Sequence, residues 1–151
     1  MNAYDRLTSL GIELPSVTVP DAKFEPYVIS DKLITLSGHI PKIDGQLVVG
    51  KLGDDMTTEQ GAKIARLVAI DLIGTLQGAL SDLGKVKRIV NINCMVNGTL
   101  NFTEPHVVAN ACSQLMHDVF GEAGKHSRNA YTVAQLPFGV CVEIALIAEI
   151  Y

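Results

Sequence analysis

What this chain has little of narrows the field before any motif is read. It lacks a stripe of Lys and Arg: 12 basic residues stand against 16 acidic ones, for a net charge of −4. A phosphate backbone would find no electrostatic track, which argues against nucleic acid as the main partner. Cysteine is confined to Cys94, Cys112 and Cys141, with no paired spacing. The first residues lack a basic region followed by an apolar signal core, so the expected setting is a reducing cytoplasm. Long apolar runs are missing too. Asp71 interrupts one tract, and Glu143 and Glu149 another, so neither has the length that crosses a bilayer. Gly50 and Gly53 lack the spacing and the Lys-Ser/Thr ending of a phosphate loop. The histidines His39, His106, His117 and His126 form no metal-ligand motif.

What is present reads as one α+β domain spanning 1–151, whose hydrophobic content of 48% supports a sizeable core. Residues 1–20 read as an N-terminal extension. Within it, Asn2 caps a short helix running to Ile12, an appendage to the rest, and Pro15 and Pro20 bracket an extended linker. Tyr27 to Ile29 and Leu33 to Ser37 read as strands around the turn Ser30-Asp31, and Ile43 to Gly50 as a turn with a brief strand. Thr57 and Gln60 form a capping box. Behind it Ile64, Leu67, Val68, Leu72, Leu76, Leu80 and Leu83 recur at helical spacing until Gly84.

From Val86 to Asn97 the period changes to two, with Val90, Ile92, Cys94 and Val96 alternating with Asn91, Asn93, Met95 and Asn97. Thr103 and Pro105 open a second helix with Val108, Ala111, Cys112, Leu115 and Val119 on one stripe, stopping at Gly121. Arg128 to Val133 and Val140 to Ile150 are the last strands. The final one is apolar on both faces. Two helices can cover only one face of a sheet, so another subunit is expected over the other.

Arg128 is the last basic residue, and it opens a segment whose only other charges are Glu143 and Glu149. A guanidinium in so apolar a setting needs a partner, either a protein acid or a small acidic ligand that fits its planar fork.

Together, Pro26-Tyr27-Val28, Ser37-Gly38-His39-Ile40-Pro41, Phe120-Gly121-Glu122 and the run from Arg128 through Leu136-Pro137 to Val142-Glu143-Ile144 resemble the RidA/YjgF family. The resemblance covers roughly Pro26 to Ile150. The long N-terminal segment, Gly50 to Gly53 and Gly124 to Arg128 are similar to its chorismate-mutase-like branch. That resemblance implies a chorismate-mutase-like α+β subunit, with a mixed sheet backed by two helices, assembled as a barrel-like homotrimer with sites in the clefts between subunits. It implies hydrolysis, without a cofactor, of reactive 2-imino and enamino acids such as 2-aminoacrylate to a 2-oxo acid and ammonia. Arg128 falls on the arginine that grips the substrate carboxylate, and Glu143 on the glutamate associated with the attacking water. Tyr27, Ser37 and Asn110 fall on pocket positions. Two positions depart: Ala130 stands where typical deaminases carry a cysteine, and His39 replaces the usual glutamine.

Such chemistry needs an anion clamp, a positioned water and control of proton transfer, for which Arg, Glu and hydroxyl groups are suited. Each residue also has a plainer reading. Arg128 and Glu143 could pair with each other, Tyr27 could pack at a strand end, Ser37 could shape its turn, and Asn110 could make a helix-surface hydrogen bond. The cysteines read as small core hydrophobes. The rival functions are a non-catalytic binder of small carboxylates, favoured by Ala130 and His39, and an endoribonuclease or translation inhibitor, a label often given to relatives.

Overall fold

The computed structural model describes residues 1–16 and 21–151; Pro20, the outer boundary expected for the extension and linker, lies outside them. Among the described residues, seven strands and three α-helices follow in the order α1 (Ala3–Ser9), β1 (Tyr27–Ser30), β2 (Leu33–His39), β3 (Lys42–Ile43), β4 (Gln46–Leu47), α2 (Thr58–Leu80), β5 (Val86–Asn97), α3 (Pro105–Phe120), β6 (Ser127–Val133) and β7 (Val142–Ile150). Five strands form one sheet in the order β1-β2-β7-β5-β6, antiparallel throughout except for the parallel pair β5-β6. The helix α3 makes the crossover between those two strands, as a parallel connection requires.

Period-two alternation determines which residues meet the helices. Ile92, Cys94 and Val96 of β5 and Val142, Ile144, Leu146 and Ala148 of β7 are all buried against α2 and α3, with Ile34 and Leu36 of β2 beside them. Burying such side chains contributes about 1.5–3 kcal/mol each for the larger ones. The opposite face carries Asn91, Asn93 and Met95 of β5 and Glu143, Ala145 and Ile147 of β7, all half-buried. Among the described residues no helix packs over this face.

The capping box at Thr57 and Gln60 is present, and α2 follows it for 23 residues. The helix stops earlier than its stripe suggests. Ser81 turns to a left-handed conformation at φ 63°, and Leu83 reaches the core from a short 3-10 turn instead. Leu67, expected on the buried stripe, lies at its exposed edge. In β5 an irregularity between Ile89 and Asn91 puts Ile89 in the core and leaves Val90 half-buried. The segment expected as one brief strand is a small hairpin, β3-β4, turning on Asp44 and Gly45 at φ 51° and 77°. Positive φ at both central residues suits the right-handed twist of the paired strands.

The N-terminal helix is part of the fold and no appendage. Leu7 is buried in the core. Tyr4 donates its hydroxyl proton to Gln77 Oε1 at 2.6 Å and accepts from the Leu83 backbone N–H at 2.9 Å. Leu7→Ala should therefore lower the unfolding free energy by about 2 kcal/mol or more, read as a lower urea midpoint at fixed protein concentration. An unchanged midpoint would mean that α1 folds independently of the rest.

Candidate functional site

The residues singled out from the sequence fall into two groups on different parts of the sheet. Arg128 and Ala130 lie on β6, the outermost strand on one side. Pairing sets Arg128 opposite Ile92 and Ala130 opposite Cys94. Directly opposed residues share a face, so both point toward the helix layer. There the guanidinium lies against α3. Its Nη1 donates to Asn110 Oδ1 at 2.9 Å and to Ser113 Oγ at 3.2 Å, and Nη2 makes a longer contact of 3.4 Å to the His106 carbonyl. Every one of these acceptors is neutral. Among the described residues no carboxylate forms an ion pair with Arg128.

Glu143 belongs to the second group. It sits opposite Met95 across β7 and β5, which places it on the uncovered face. Arg128 and Glu143 therefore occupy opposite faces of one sheet, and the ion pair between them within a single chain is ruled out. Burial pushes the Glu143 carboxyl above its ordinary value with no cation to lower it.

A local irregularity brings Glu143 close to the Ser37-Gly38-His39 segment. The β2-β7 register slips between Leu36, opposite Leu146, and His39, opposite Ile144. Such a bulge re-aims side chains at the end of a strand. Gly38 sits under the Glu143 carboxylate so closely that an added Cβ would lie 2.5 Å from Oε2. Ser37, Gly38, His39 and Glu143 line a cleft of about 970 Å³ together with Asp71, Thr75 and Phe138.

Within this cleft Ser37 donates to the Glu25 carbonyl at 2.6 Å, so its hydroxyl shapes the turn while its oxygen keeps accepting capacity. His39 is tied on both ring nitrogens, to the Ser37 carbonyl at 2.6 Å and to Thr75 Oγ1 at 2.7 Å. A carbonyl only accepts, so Nδ1 carries the proton and Thr75 donates to Nε2. The ring is a strut between β2 and α2. Tyr27 is apart from the cleft lining. It pairs with Leu36 on the edge strand and packs half-buried against the core.

The cysteines fit their expected core role. Burial pushes Cys94 up to about 12 and Cys141 to about 11, and raises Cys112 as well. All three are neutral thiols at neutral pH, which removes a thiolate nucleophile from consideration. Cys94 lies directly across from Ala130, yet it too is fully buried.

Four participants escaped the sequence reading. Asp71 had a visible signal, since it breaks the apolar stripe of α2; burial raises its carboxyl. Thr75, one turn further along the same helix, holds His39. Ser113 follows Asn110 by one helical turn, and His126 precedes Arg128 by two residues. Both spacings place them beside the guanidinium.

Burial also lowers His39 and His126 below their ordinary 6.5, each partly offset by a backbone hydrogen bond. The unfolded chain then takes up these protons first as pH falls, so their contribution to stability is intact above about 6.5 and is lost below it. The urea midpoint should drop between pH 7.5 and 5.5. His39→Gln should shrink that drop and the double variant with His126→Gln should shrink it further; an undiminished drop in both would contradict the assignment.

Comparison with known proteins agrees with this architecture. Residues 4–150 match the family described as "YjgF/chorismate_mutase-like, putative endoribonuclease". The chain is 42% identical over 146 residues to protein TCP17 of Trypanosoma cruzi, covering 95% of this chain and 91% of that protein. Among solved structures it is similar to Atu1372 of Agrobacterium tumefaciens, a protein described as of unknown function, at 36% identity and a TM-score of 0.90, covering 99% of this chain and 94% of the other. It is similar as well to a Shewanella oneidensis MR-1 protein described as "a putative endoribonuclease", at 31% identity and a TM-score of 0.94, covering 99% and 100%.

Proposed function

This chain belongs to the YjgF/chorismate-mutase-like family, and from that premise we propose that it is a Rid-type hydrolytic deaminase of small 2-imino and enamino acids. The reading has the active sites between subunits of a homotrimer. One observation carries it: Arg128 offers a positive charge satisfied only by neutral acceptors, while Glu143 offers a carboxyl raised by burial on the opposite face. Among the described residues neither forms an ion pair. A ligand carboxylate would supply one, and a neighbouring subunit's edge would bring the two together.

In this reading, 2-aminoacrylate first becomes its imine by gaining a proton at C3 and losing one from nitrogen. The Arg128 fork holds the substrate carboxylate and partly neutralises it, which leaves the adjacent imine carbon more open to water. Glu143 takes a proton from that water as the C–O bond forms and returns it to the nitrogen. Glu143 next takes the proton of the new hydroxyl and passes it to the amine as the carbonyl forms and the C–N bond breaks, giving a 2-oxo acid and ammonia. A carboxyl with a raised pKa suits both steps, because it can give back the proton it took. Ala130 leaves this scheme without the family's cysteine, and His39, tied at both nitrogens, serves it only by holding the Ser37-Gly38 segment in place.

A second reading, a binder of small carboxylates that performs no chemistry, uses the same clamp and is favoured by Ala130. Its distinguishing result is Arg128-dependent binding of 2-oxo acids with no turnover. Cleavage of RNA stands as a third reading through the family's description. The net charge of −4 weighs against it.

The test is release of pyruvate and ammonia from freshly generated 2-aminoacrylate. Wild-type protein should exceed the buffer rate, and Arg128→Ala should lower kcat/KM at least about thirtyfold, the equivalent of roughly 2 kcal/mol. Arg128→Lys, which keeps the charge and loses the fork, should fall between them. No acceleration by wild type, or full activity in Arg128→Ala, would end the deaminase reading.

The pH profile gives an independent check. The deprotonated form of Glu143 accepts the proton, so kcat/KM should rise with pH along an acid limb lying above the ordinary 4.5. Glu143→Gln should remove both that limb and most of the rate; a limb that survives the substitution belongs to another group.

A further inference from the structure

Arg128 does not stand alone on its edge of the sheet. Its Nη1 side carries both short protein contacts, to Asn110 and Ser113. The edge formed by Nε and Nη2 keeps only the 3.4 Å contact to the His106 carbonyl, and that edge is the one able to take a carboxylate with two parallel bonds. What aims it is therefore set by what holds Nη1.

Ser113 can accept from Nη1 steadily only if its own proton is directed elsewhere, and the structure shows where. Ser113 Oγ lies 2.9 Å from His126 Nε2, and His126 Nδ1 lies 2.6 Å from the Gly124 carbonyl. A carbonyl cannot donate, so Nδ1 bears the proton of the neutral ring. Nε2 then presents a lone pair, and the Ser113 hydroxyl donates to it. Each bond in this series fixes the direction of the next.

We propose that Ser113 and His126 are positioning residues for Arg128. A relay running from the Gly124 carbonyl through the His126 ring and the Ser113 hydroxyl locks the Nη1 side of the guanidinium and presents its Nε–Nη2 edge to an anionic ligand. The proposal rests on the reading of Arg128 as a carboxylate clamp for its purpose, though not for its existence.

The relay has a built-in direction that protonation reverses. If the ring gains a proton, Nε2 becomes a donor and both Ser113 lone pairs are taken, by His126 and by Arg128. The hydroxyl proton must then swing away. The surroundings resist that change. His117 of α3 has its ring 5.7 Å away, and Arg128 approaches from β6. Arg88 of β5 and Lys125 line the same small cavity beside His126. The nearby carboxylate, Glu122, is engaged by Lys125 at 2.7 Å. Burial first, with the nearby His117 and Arg128 adding to it, holds the ring neutral, in the state the relay needs, until the pH falls below the ordinary histidine range.

The test is side-chain NMR of the full-length protein, reading rotation of the Arg128 guanidinium about its Nε–Cζ bond without ligand, together with a calorimetric titration of pyruvate. Rotation should be slow in wild type and in Ser113→Thr, which keeps the hydroxyl. It should speed up about threefold or more in Ser113→Ala and His126→Phe. In wild type it should also change as pH drops below 6.5, and in His126→Phe it should stay flat. Pyruvate affinity should weaken about fivefold in the two relay variants and return in Ser113→Thr.

Guanidinium rotation identical in wild type, Ser113→Ala and His126→Phe overturns the relay, whatever pyruvate does. Slow rotation that depends on Ser113 and His126, with no pyruvate binding by wild type, upholds the relay and counts instead against the carboxylate-clamp reading. If His126→Phe fails to fold, the Ser113→Ala and Ser113→Thr pair decides the outcome.

Discussion

A side chain on a β-strand reaches one face of its sheet, and the pairing of strands carries that choice across the whole sheet. In this protein the rule separates the two charges that the proposed chemistry needs. Arg128 shares a face with Ile92 and Glu143 with Met95, and Ile92 and Met95 differ by an odd number of positions along one continuous strand. No rotamer change and no modest shift of a loop brings the guanidinium and the carboxylate together inside one chain. The surface that carries Glu143 is also the surface that, among the described residues, is left without a helical layer.

Around that constraint the two halves are built differently. Glu143 is set by backbone. A bulge in β2 and the absence of a side chain at Gly38 leave room for its carboxylate, and half-burial raises its proton affinity. Arg128 is set by side chains, held along α3 by Asn110 and Ser113. Neutral acceptors position a guanidinium without consuming its charge, whereas an internal carboxylate would neutralise it and close the site to an anion. His39 and Thr75 perform a comparable positioning task on the far side, tying the bulged strand to the middle of α2.

Much of the architecture was legible in the sequence because it follows from local rules. The Thr57-Gln60 box, the alternation from Asn91 to Val96 and the two-sided β7 each appear where their spacing puts them. Elements that depend on distant partners were not legible. Tyr4 finds Gln77 and Leu83 only in the folded chain, so α1 read as an appendage. Ser81 ends α2 in a left-handed conformation that usually announces itself as glycine. At the site, Arg128 and Glu143 stood out through family resemblance, and no property of their spacing revealed that they face apart. That fact lies in the β5-β6 and β5-β7 registers, which pairing geometry sets and a linear pattern does not. Ser113 and His126 were within reach through helical and strand spacing from Asn110 and Arg128, but a single Ser and a single His carry no signal until their partners are in place.

The central claim is that a working site takes Arg128 from one subunit and Glu143 from another, and subunit mixing tests it most directly. Arg128→Ala and Glu143→Ala chains, each inactive alone, would be unfolded, combined in equal amounts and refolded together. Random assembly leaves about a quarter of the intersubunit clefts with both residues intact, so 2-aminoacrylate hydrolysis should return to about that fraction of the wild-type rate. Hybrids that form and remain as inactive as their parents would contradict a shared site.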